Sequence, residues 1–374
     1  MNPRDRIFTA MYLEEPDRVP LFELAVNAIV AEKIVGKRYP PIQTNPPWPE
    51  MLKMKRETLV EKCVEGHLLC YRKLGIDMLS VFPSPPRDFK PEIPEPNMIV
   101  DEWGAKYKYV PETDQAFVVE YPIKRPEDLE TYTFPDPHAP GRTDVPEMAV
   151  KMAEKYNMPV SCWLPGICEF VVANLLGLVT FSVFLHRYPS LLEKILDEVT
   201  RFNIELGKAL IDVGVEVIWF GNDTANKNGP FLPPRLHRKY FAPRLKKMVE
   251  TFHKRGAFVF HHSCGYNWDL LDDFVWAGVD VLHPFEPQAG MDIVKGKEVY
   301  GDKVCIAGNI DVAYTLSFGT PEDVEKEVKQ RIKELAPGGG YILTSSNSIF
   351  KAIPPENAIA MFKAGKKYGD YTRI

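Results

Sequence analysis

The sequence predicts an α/β fold, a (β/α)8 TIM barrel, and three observations carry this prediction. Short apolar runs that end in polar residues recur eight times along the 374 residues. Amphipathic stretches with helical spacing separate these runs, which favours parallel strand pairing through right-handed crossovers. Eight such units indicate a closed ring of strands more than an open sheet, and we expect one barrel domain over residues 1–374.

The eight apolar runs are too short to be buried helices. They are rich in Val, Ile, Phe and Trp, so we interpret them as strands that are buried on both faces. In chain order the predicted strands one to eight are Val19–Leu24, Asp77–Pro83, Pro159–Pro165, Val215–Asp223, Ala257–Cys264, Val279–Glu286, Lys303–Asp311 and Tyr341–Ser346.

Two of the intervening helices have clear sequence signals. Leu191–Val213 repeats apolar residues every three or four positions, and Pro321–Leu335 follows Thr320, a typical N-cap, with proline at the first helical position. Two longer segments depart from the plain repeat. Residues 27–71 are expected to form an N-terminal helical decoration, and residues 84–140 to carry a hairpin excursion over the barrel mouth.

Composition argues against several classes of partner. The chain has 46 Lys and Arg against 51 Asp and Glu, with both signs interleaved, so we expect neither a nucleic-acid face nor a polybasic membrane patch. The N-terminus lacks the apolar core of a signal peptide, and no window reaches roughly 18 uninterrupted apolar residues. The six cysteines are scattered, which favours reduced thiols in a cytoplasmic protein. The sequence leaves monomer and homodimer open.

The fifth predicted strand carries the strongest chemical signal, in His262 and Cys264. Side chains two residues apart on a strand share a face, so these two point together while His261 points away. They lie at the C-terminal end of the strand, where barrel enzymes keep their reactive groups. Imidazole and thiolate are a pair that zinc prefers, and a catalytic zinc needs a third protein ligand. The alternative is that both side chains are simply packed, with the cysteine acting as a small apolar residue.

Polar residues at other strand ends are candidates for catalysis or for the third ligand. Asp223 ends strand four, Glu286 ends strand six and Asn347 follows strand eight. Glu286 is hardest to explain as packing because its strand is otherwise apolar, whereas Asp and Asn at strand ends often close turns. His283 has the opposite parity to Glu286, so we do not expect both to face one metal. Aromatic residues near the strand ends, such as Trp163, predict a mouth suited to a flat or apolar ligand.

Five short motifs follow one another along the chain: 15–20 (EPDRVP), 101–104 (DEWG), 262–265 (HSCG), 308–311 (GNID) and 338–343 (GGGYIL). No single motif is specific, but their order is. With them the chain resembles the uroporphyrinogen decarboxylase superfamily, and within it the branch of corrinoid-dependent (methylcobamide) methyltransferases.

For that branch the resemblance implies a zinc held by His262, Cys264 and a second cysteine just after strand eight. That position is Asn347 here, and asparagine is a poor zinc ligand, so either Glu286 or Asp223 completes the site or the metal is weak or absent. The implied reaction moves a methyl group between a corrinoid and a small methylated substrate, which could be a methoxylated aromatic, a methylamine-like compound or a thiol. We expect no corrinoid-binding Asp-x-His-x-x-Gly motif in this chain, and therefore a partner protein that carries the corrinoid (cobalamin) and docks over the mouth.

Two alternative functions stay open at this point. Uroporphyrinogen decarboxylases share the fold, but they carry an Arg-Gln-Ala-Gly-Arg stretch that suits a polycarboxylate, where this chain has residues 22–27 with the acidic Glu23. The other alternative is a non-catalytic binding barrel that has lost its third metal ligand. The zinc content of the purified protein separates these hypotheses.

Overall fold

Seven parallel strands form a curled sheet at the centre of the protein, in a computed structural model that describes residues 1–40 and 54–374. The strands in chain order are β1 (Leu79–Val81), β2 (Met98–Val100), β3 (Lys106–Val110), β4 (Gln115–Glu120), β5 (Val160–Pro165), β6 (Val217–Gly221), β7 (Ala225–Asn226), β8 (Gly229–Pro230), β9 (Phe258–His262), β10 (Val281–His283), β11 (Cys305–Ala307) and β12 (Tyr341–Ile342). The central sheet has the order β1-β5-β6-β9-β10-β11-β12. It contains predicted strands two to eight in chain order, as successive strand–helix–strand units require.

Helices connect these strands. In chain order they are α1 (Pro3–Met11), α2 (Ala28–Val35), α3 (Arg56–Leu74), α4 (Asp144–Glu154), α5 (Ile167–Phe170), α6 (Gly177–Arg187), α7 (Pro189–Asp212), α8 (Pro234–Tyr240), α9 (Ala242–His253), α10 (Leu271–Ala277), α11 (Ile293–Tyr300), α12 (Thr315–Phe318), α13 (Pro321–Leu335) and α14 (Pro355–Tyr368). Helix α7 confirms the predicted three-four rhythm. Helix α13 begins as predicted: Thr320 Oγ1 accepts from the Asp323 N–H, and the Asp323 carboxylate accepts from the Thr320 N–H.

The buried side chains fall into two groups that correspond to the two faces of the strands. The smaller group, which includes Met78, Val217, Trp219, Phe260 and Val281, fills the inside of the curled sheet, and α1 packs against it. The larger group lies between the strands and the surrounding helices. Because side chains alternate along a strand, residues two positions beyond the inner group on β9 and β10 also face inward.

The predicted first strand is not a regular strand, but it lies between the last and the first strands of the sheet. The Phe22 N–H donates to the Leu343 carbonyl on one side, and the Asp77 N–H donates to the Leu21 carbonyl on the other. Pro20 has no N–H to add to a ladder, which shortens the paired stretch. The curled sheet therefore has seven regular strands and, at the place of predicted strand one, a short irregular segment.

The first excursion contains α2 and α3, and residues 41–53 of it lie outside the described part of the chain. The second contains β2, β3 and β4, which pair as a three-stranded antiparallel sheet. Its β3–β4 turn contacts the segments that follow predicted strands one and eight: the Asp114 carboxylate accepts from Asn27 Nδ2, and Lys351 Nζ donates to the Pro111 carbonyl. The antiparallel sheet thus stands at the end of the curled sheet where its parallel strands finish.

Within residues 1–40 and 54–374, one helical stretch, Ile167–Arg187, is long and apolar enough to cross a membrane, with a mean hydropathy of 2.0. Half of it is buried inside the protein. A single half-buried stretch is a weak sign of a membrane span, because core helices of globular proteins have the same composition.

Candidate metal centre

The C-terminal ends of β6, β9 and β10 bring the candidate residues to one end of the sheet. In the parallel register Gly221 pairs with His262, and His262 pairs with His283. Asp223 follows Gly221 by two residues and so reaches the same level as the end of β9. Parallel pairing therefore places side chains from three strands around one point.

Asp223, His262 and Cys264 form a cluster in which each side chain offers one ligand atom, and these atoms lie within 4.8 Å of one another. His262 Nε2 is 3.4 Å from Cys264 Sγ and 3.5 Å from Asp223 Oδ1. Tetrahedral zinc with ordinary bond lengths separates such ligand atoms by about 3.4–3.6 Å. The Cys264 N–H also donates to Asp223 Oδ1 over 2.8 Å, which fixes the carboxylate in place. The donor chemistry of the cluster therefore fits zinc, and the two distances from His262 Nε2 match the spacing of neighbouring zinc ligands.

The surroundings of Cys264 disfavour a bare thiolate. Burial, followed by the negative charges of Asp223 and Glu286, raises the pKa of the thiol well above its ordinary value. The hydrogen bond from Asn347 acts in the opposite direction. The thiol therefore keeps its proton near neutral pH unless a cation takes the place of that proton.

Asn347 lies where the resemblance puts a second zinc-binding cysteine. Its Nδ2 donates to Cys264 Sγ over 3.2 Å. An amide N–H in this place can hold the sulfur and stabilise negative charge on it, but it has no lone pair to give to a metal. The structure thus brings Asn347 to the cluster as a partner of the thiol.

Glu286 lies beside the cluster and outside it. Its Oε2 accepts from the Gly265 N–H over 2.7 Å, which anchors the turn after Cys264. Glu286 does not belong to the group of three close ligand atoms, and the sequence-based hypothesis that it is a metal ligand stays a prediction. Of the two candidates for the third ligand, the structure favours Asp223.

His283 is a residue of the site that sequence parity set aside. Its Nδ1 lies 2.7 Å from Nδ1 of His262, and its Nε2 lies 2.9 Å from the carbonyl oxygen of Ser345. Burial lowers the pKa of His262 and holds that of His283 well below its ordinary value. The parity argument compared His283 only with Glu286, on the same strand. The contact between His283 and His262 depends instead on the register between β10 and β9, which pairs these two residues.

Glu169 is a second residue that sequence reasoning missed. Its Oε2 accepts from the Asp223 N–H over 3.0 Å. Burial, followed by the charge of Asp223, raises the pKa of Glu169 to about 7. Glu169 lies four residues after the end of β5. Barrel enzymes place reactive groups just beyond strand ends, so its position in the sequence is the signal that could have identified it.

Aromatic rings fill the inside of the sheet near this end. Phe82, Trp163 and Trp219 pack with ring centroids 5.7–6.4 Å apart. A cavity beside these rings is lined largely by aromatic and apolar side chains, and its charged lining residues are Arg142 and Glu102. These two are joined by two hydrogen bonds of 2.9 and 2.6 Å, so their charges are already paired.

Glu23 is a completely buried acid at the end of predicted strand one. Its Oε1 accepts from Ser345 Oγ over 3.1 Å and from the Leu24 N–H over the same distance. Burial raises the pKa of Glu23 to about 8, although these hydrogen bonds act against the rise. The carboxyl group is therefore mostly protonated at neutral pH in the folded protein.

Replacing Glu23 by glutamine is expected to change how stability depends on pH. The ordinary pKa of this carboxyl is 4.5 and the folded value is about 8, so between these values the folded protein holds a proton that the unfolded chain releases. Stability from this group is fully present below pH 4.5, and up to about 1.4 kcal/mol is lost per pH unit as pH rises through the window. In urea titrations, the free energy of unfolding of Glu23→Gln relative to wild type should increase from pH 5 to pH 8. Equal pH slopes for the two proteins would refute this assignment.

One segment corrects the expectation about a corrinoid motif. Asp136, His138 and Gly141 match the letters of the Asp-x-His-x-x-Gly pattern, so the pattern is present in the chain. The His138 side chain is 62% exposed and its Nε2 lies 3.7 Å from the carboxylate of Glu205 on α7. The segment is an exposed turn before α4, and the three letters alone do not make a cofactor site.

Comparisons with known proteins agree with this architecture. The sequence profile of the family described as "Uroporphyrinogen decarboxylase (URO-D)" matches residues 2–368. The "Methylcobamide:CoM methyltransferase MtbA" of Methanosarcina mazei is 24% identical over 371 residues, which cover 98% of each chain. The "Uroporphyrinogen decarboxylase" of Geobacter metallireducens is 26% identical over 278 residues, which cover 70% of this chain and 75% of the relative. A solved structure described as "methyltransferase from Methanosarcina mazei" has the same fold, with a TM-score of 0.73 and 23% identity over 98% of this chain and 99% of that one.

Proposed function

Because the chain belongs to the uroporphyrinogen decarboxylase family, we propose that it is a methyltransferase of the corrinoid-dependent branch of that family. One observation carries the proposal: the Asp223–His262–Cys264 cluster offers nitrogen, sulfur and oxygen donors at the C-terminal end of the sheet. The similarity to a methylcobamide:CoM methyltransferase over 98% of both chains supports it. The proposed reaction moves a methyl group between a small methylated substrate and a corrinoid.

The proposal includes a single barrel domain over residues 1–374, closed by the irregular segment at residues 20–22. The hydrogen bonds of this segment to both neighbouring strands support closure. A closed ring gives the site one water-accessible mouth and a packed floor, as barrel enzymes have.

In this proposal Asp223, His262 and Cys264 are the side chains that hold zinc. When bound, zinc supplies a Lewis acid for the heteroatom that carries the methyl group, or lowers the pKa of a thiol acceptor. Asn347 donates its amide to Cys264 Sγ, and thereby holds the sulfur and offsets part of its negative charge. Glu286 fixes the turn that follows the cysteine and is one carboxylate beside the cluster that can move a proton.

The substrate proposed for this site is small and has an apolar or aromatic body. The cavity beside Phe82 and Trp163 supports this choice, because aromatic walls suit flat or apolar groups. The two charged residues that line the cavity, Arg142 and Glu102, already bind each other and leave no free charge for a charged substrate. The corrinoid is supplied by a partner protein that docks at the mouth, and the chain works in the cytoplasm.

The test of the function is spectral. Zinc-loaded protein is mixed with cob(I)alamin and, in turn, with methoxylated aromatics, methylamines and methylated thiols, and the reverse direction starts from methylcobalamin and demethylated acceptors. We expect interconversion of cob(I)alamin and methylcobalamin with one of these classes, and none with a His262→Ala, Cys264→Ala double variant. Failure with every class in both directions, in protein that contains zinc, contradicts the proposal.

Decarboxylation of uroporphyrinogen is a second candidate, favoured by the relatives of that name. The charges of the site oppose it, because the ionisable groups that act on Cys264 are the carboxylates Asp223, Glu286 and Glu169. A substrate with eight carboxylates needs cationic partners at the mouth. We expect no coproporphyrinogen when the protein is incubated anaerobically with uroporphyrinogen.

A further inference from the structure

His262 and His283 face each other through the same kind of nitrogen. Their Nδ1 atoms are 2.7 Å apart. A hydrogen bond between two imidazole nitrogens needs one nitrogen that carries a proton and one with a free lone pair. The direction of this bond follows from the partners of the other two ring nitrogens.

The far side of His283 decides which of the two donates. Its Nε2 lies 2.9 Å from the carbonyl oxygen of Ser345, which can only accept, so Nε2 carries a proton. His283 is 4% exposed, and its hydrogen-bond partners among the residues described are His262 and the Ser345 carbonyl, so a second proton would create a buried charge with no carboxylate beside it. Its Nδ1 is then the acceptor, and Nδ1 of His262 must be the donor.

This direction leaves Nε2 of His262 with a lone pair. That nitrogen faces Cys264 Sγ at 3.4 Å, where it can accept a hydrogen bond from the thiol in the metal-free protein or bind a metal. The carboxylate of Asp223, at 3.5 Å, favours a proton on the same nitrogen. That alternative tautomer would leave two unprotonated Nδ1 atoms facing each other at 2.7 Å, so the hydrogen bond to His283 prevails.

We propose that His283 is a positioning residue that fixes the tautomer and the ring orientation of His262, and so presents Nε2 to the metal. The Ser345 carbonyl holds His283 in turn, which ties the ligand on β9 through β10 to the segment after β12. Partners of this kind raise the affinity of a metal site because they order the ligand before the metal arrives. The inference rests on the proposed function only for the identity of the metal.

The first test reads the tautomers in metal-free protein, by long-range ¹H–¹⁵N correlation of the imidazole nitrogens. Single histidine variants assign the signals. We expect His262 to be protonated on Nδ1 and bare on Nε2, and His283 to show the reverse. A His262 ring protonated on Nε2 overturns the proposal. The measurement uses neither corrinoid nor methyl donor, so it tests the role of His283 even if no methyl transfer is detected.

The second test measures zinc affinity by competition with a chromophoric chelator. His283→Leu removes the acceptor, and the Kd for zinc should rise by a factor on the order of 10–100. His283→Asn keeps an amide oxygen close to the position of Nδ1, so its Kd should lie much nearer to that of wild type. The matched control is His261→Leu, because His261 is a buried neighbour on β9 whose ring nitrogens have no hydrogen-bond partner among the described residues. Its zinc affinity should be unchanged.

Thermal unfolding of each variant separates positioning from misfolding. If His283→Leu unfolds near the temperature of wild type and binds zinc as tightly, the proposal is overturned. If His283→Leu does not fold, the test uses His283→Asn. The proposal is also overturned if folded His283→Asn protein has lost zinc affinity although Nδ1 of His262 is still protonated. Affinity retained together with that tautomer supports it.

Discussion

Replacing Cys264 by alanine is expected to abolish stoichiometric zinc binding and methyl transfer together. The sulfur is one of the three donors that lie within 4.8 Å of one another, and of these it is the ligand with the strongest preference for zinc. Structural zinc sites bind with about 10–16 kcal/mol over four ligands, or about 3 kcal/mol per ligand. Loss of the sulfur should therefore weaken zinc by a factor on the order of a hundred or more, measured by metal analysis and by chelator competition.

Two further variants make the Cys264 result specific. Cys305→Ala removes another buried cysteine inside the sheet and should leave the zinc content unchanged. Glu286→Gln should also keep zinc, because its carboxylate contacts the Gly265 backbone and lies outside the cluster. Zinc that persists in Cys264→Ala, or disappears in Glu286→Gln, would show that the metal is held elsewhere.

Asn347→Cys is expected to tighten zinc binding by a factor on the order of a hundred. The amide nitrogen is 3.2 Å from Cys264 Sγ, so the side chain of residue 347 is directed at the cluster, and a thiolate on the same Cβ is placed to become a further ligand. One additional protein ligand contributes about 3 kcal/mol by the same estimate. With Co²⁺ in place of zinc, the sulfur-to-metal absorption should be about twice that of wild type, because two thiolates replace one.

Ser348→Cys is the matched control for Asn347→Cys. It adds a thiol one residue further along, where Ser348 Oγ donates to Asn347 Oδ1 and not to Asp223, His262 or Cys264. We expect no change in zinc affinity and a Co²⁺ spectrum with one thiolate. If Asn347→Cys behaves like this control, its side chain does not reach the metal and the alignment of this position with a ligand is incorrect.

Most of the architecture follows from local sequence patterns, because buried strands and amphipathic helices depend on residue spacing. Predicted strands two to eight all belong to the central sheet. The first is irregular because Pro20 interrupts its ladder, and the predictive rule counted apolar residues without counting amide donors. The parity of His262 and Cys264 anticipated a shared face, and the structure has their ligand atoms 3.4 Å apart.

The rest of the site depends on information that no single strand contains. Asp223 and Glu286 both follow strand ends, and only the path of each loop decides which carboxylate joins the ligand atoms of His262 and Cys264 and which lies outside that group. His283 reaches His262 because of the register between β10 and β9. Register between strands depends on the packing of the whole ring, so spacing along the chain cannot supply it.

The irregular segment at residues 20–22 also determines when the molecule can be completed during its synthesis. Glu23 and Ser345, which contact each other across this seam, are separated by 322 residues along the chain. A nascent chain on the ribosome can pair β1, β5, β6 and β9 in the order in which they emerge. The segment at residues 20–22, which lies beside β1, is held on both sides only after β12 has been made. The segment at residues 20–22 is thus among the last parts of the sheet to be fixed, and a chain cut before β12 would keep an open edge available for aggregation.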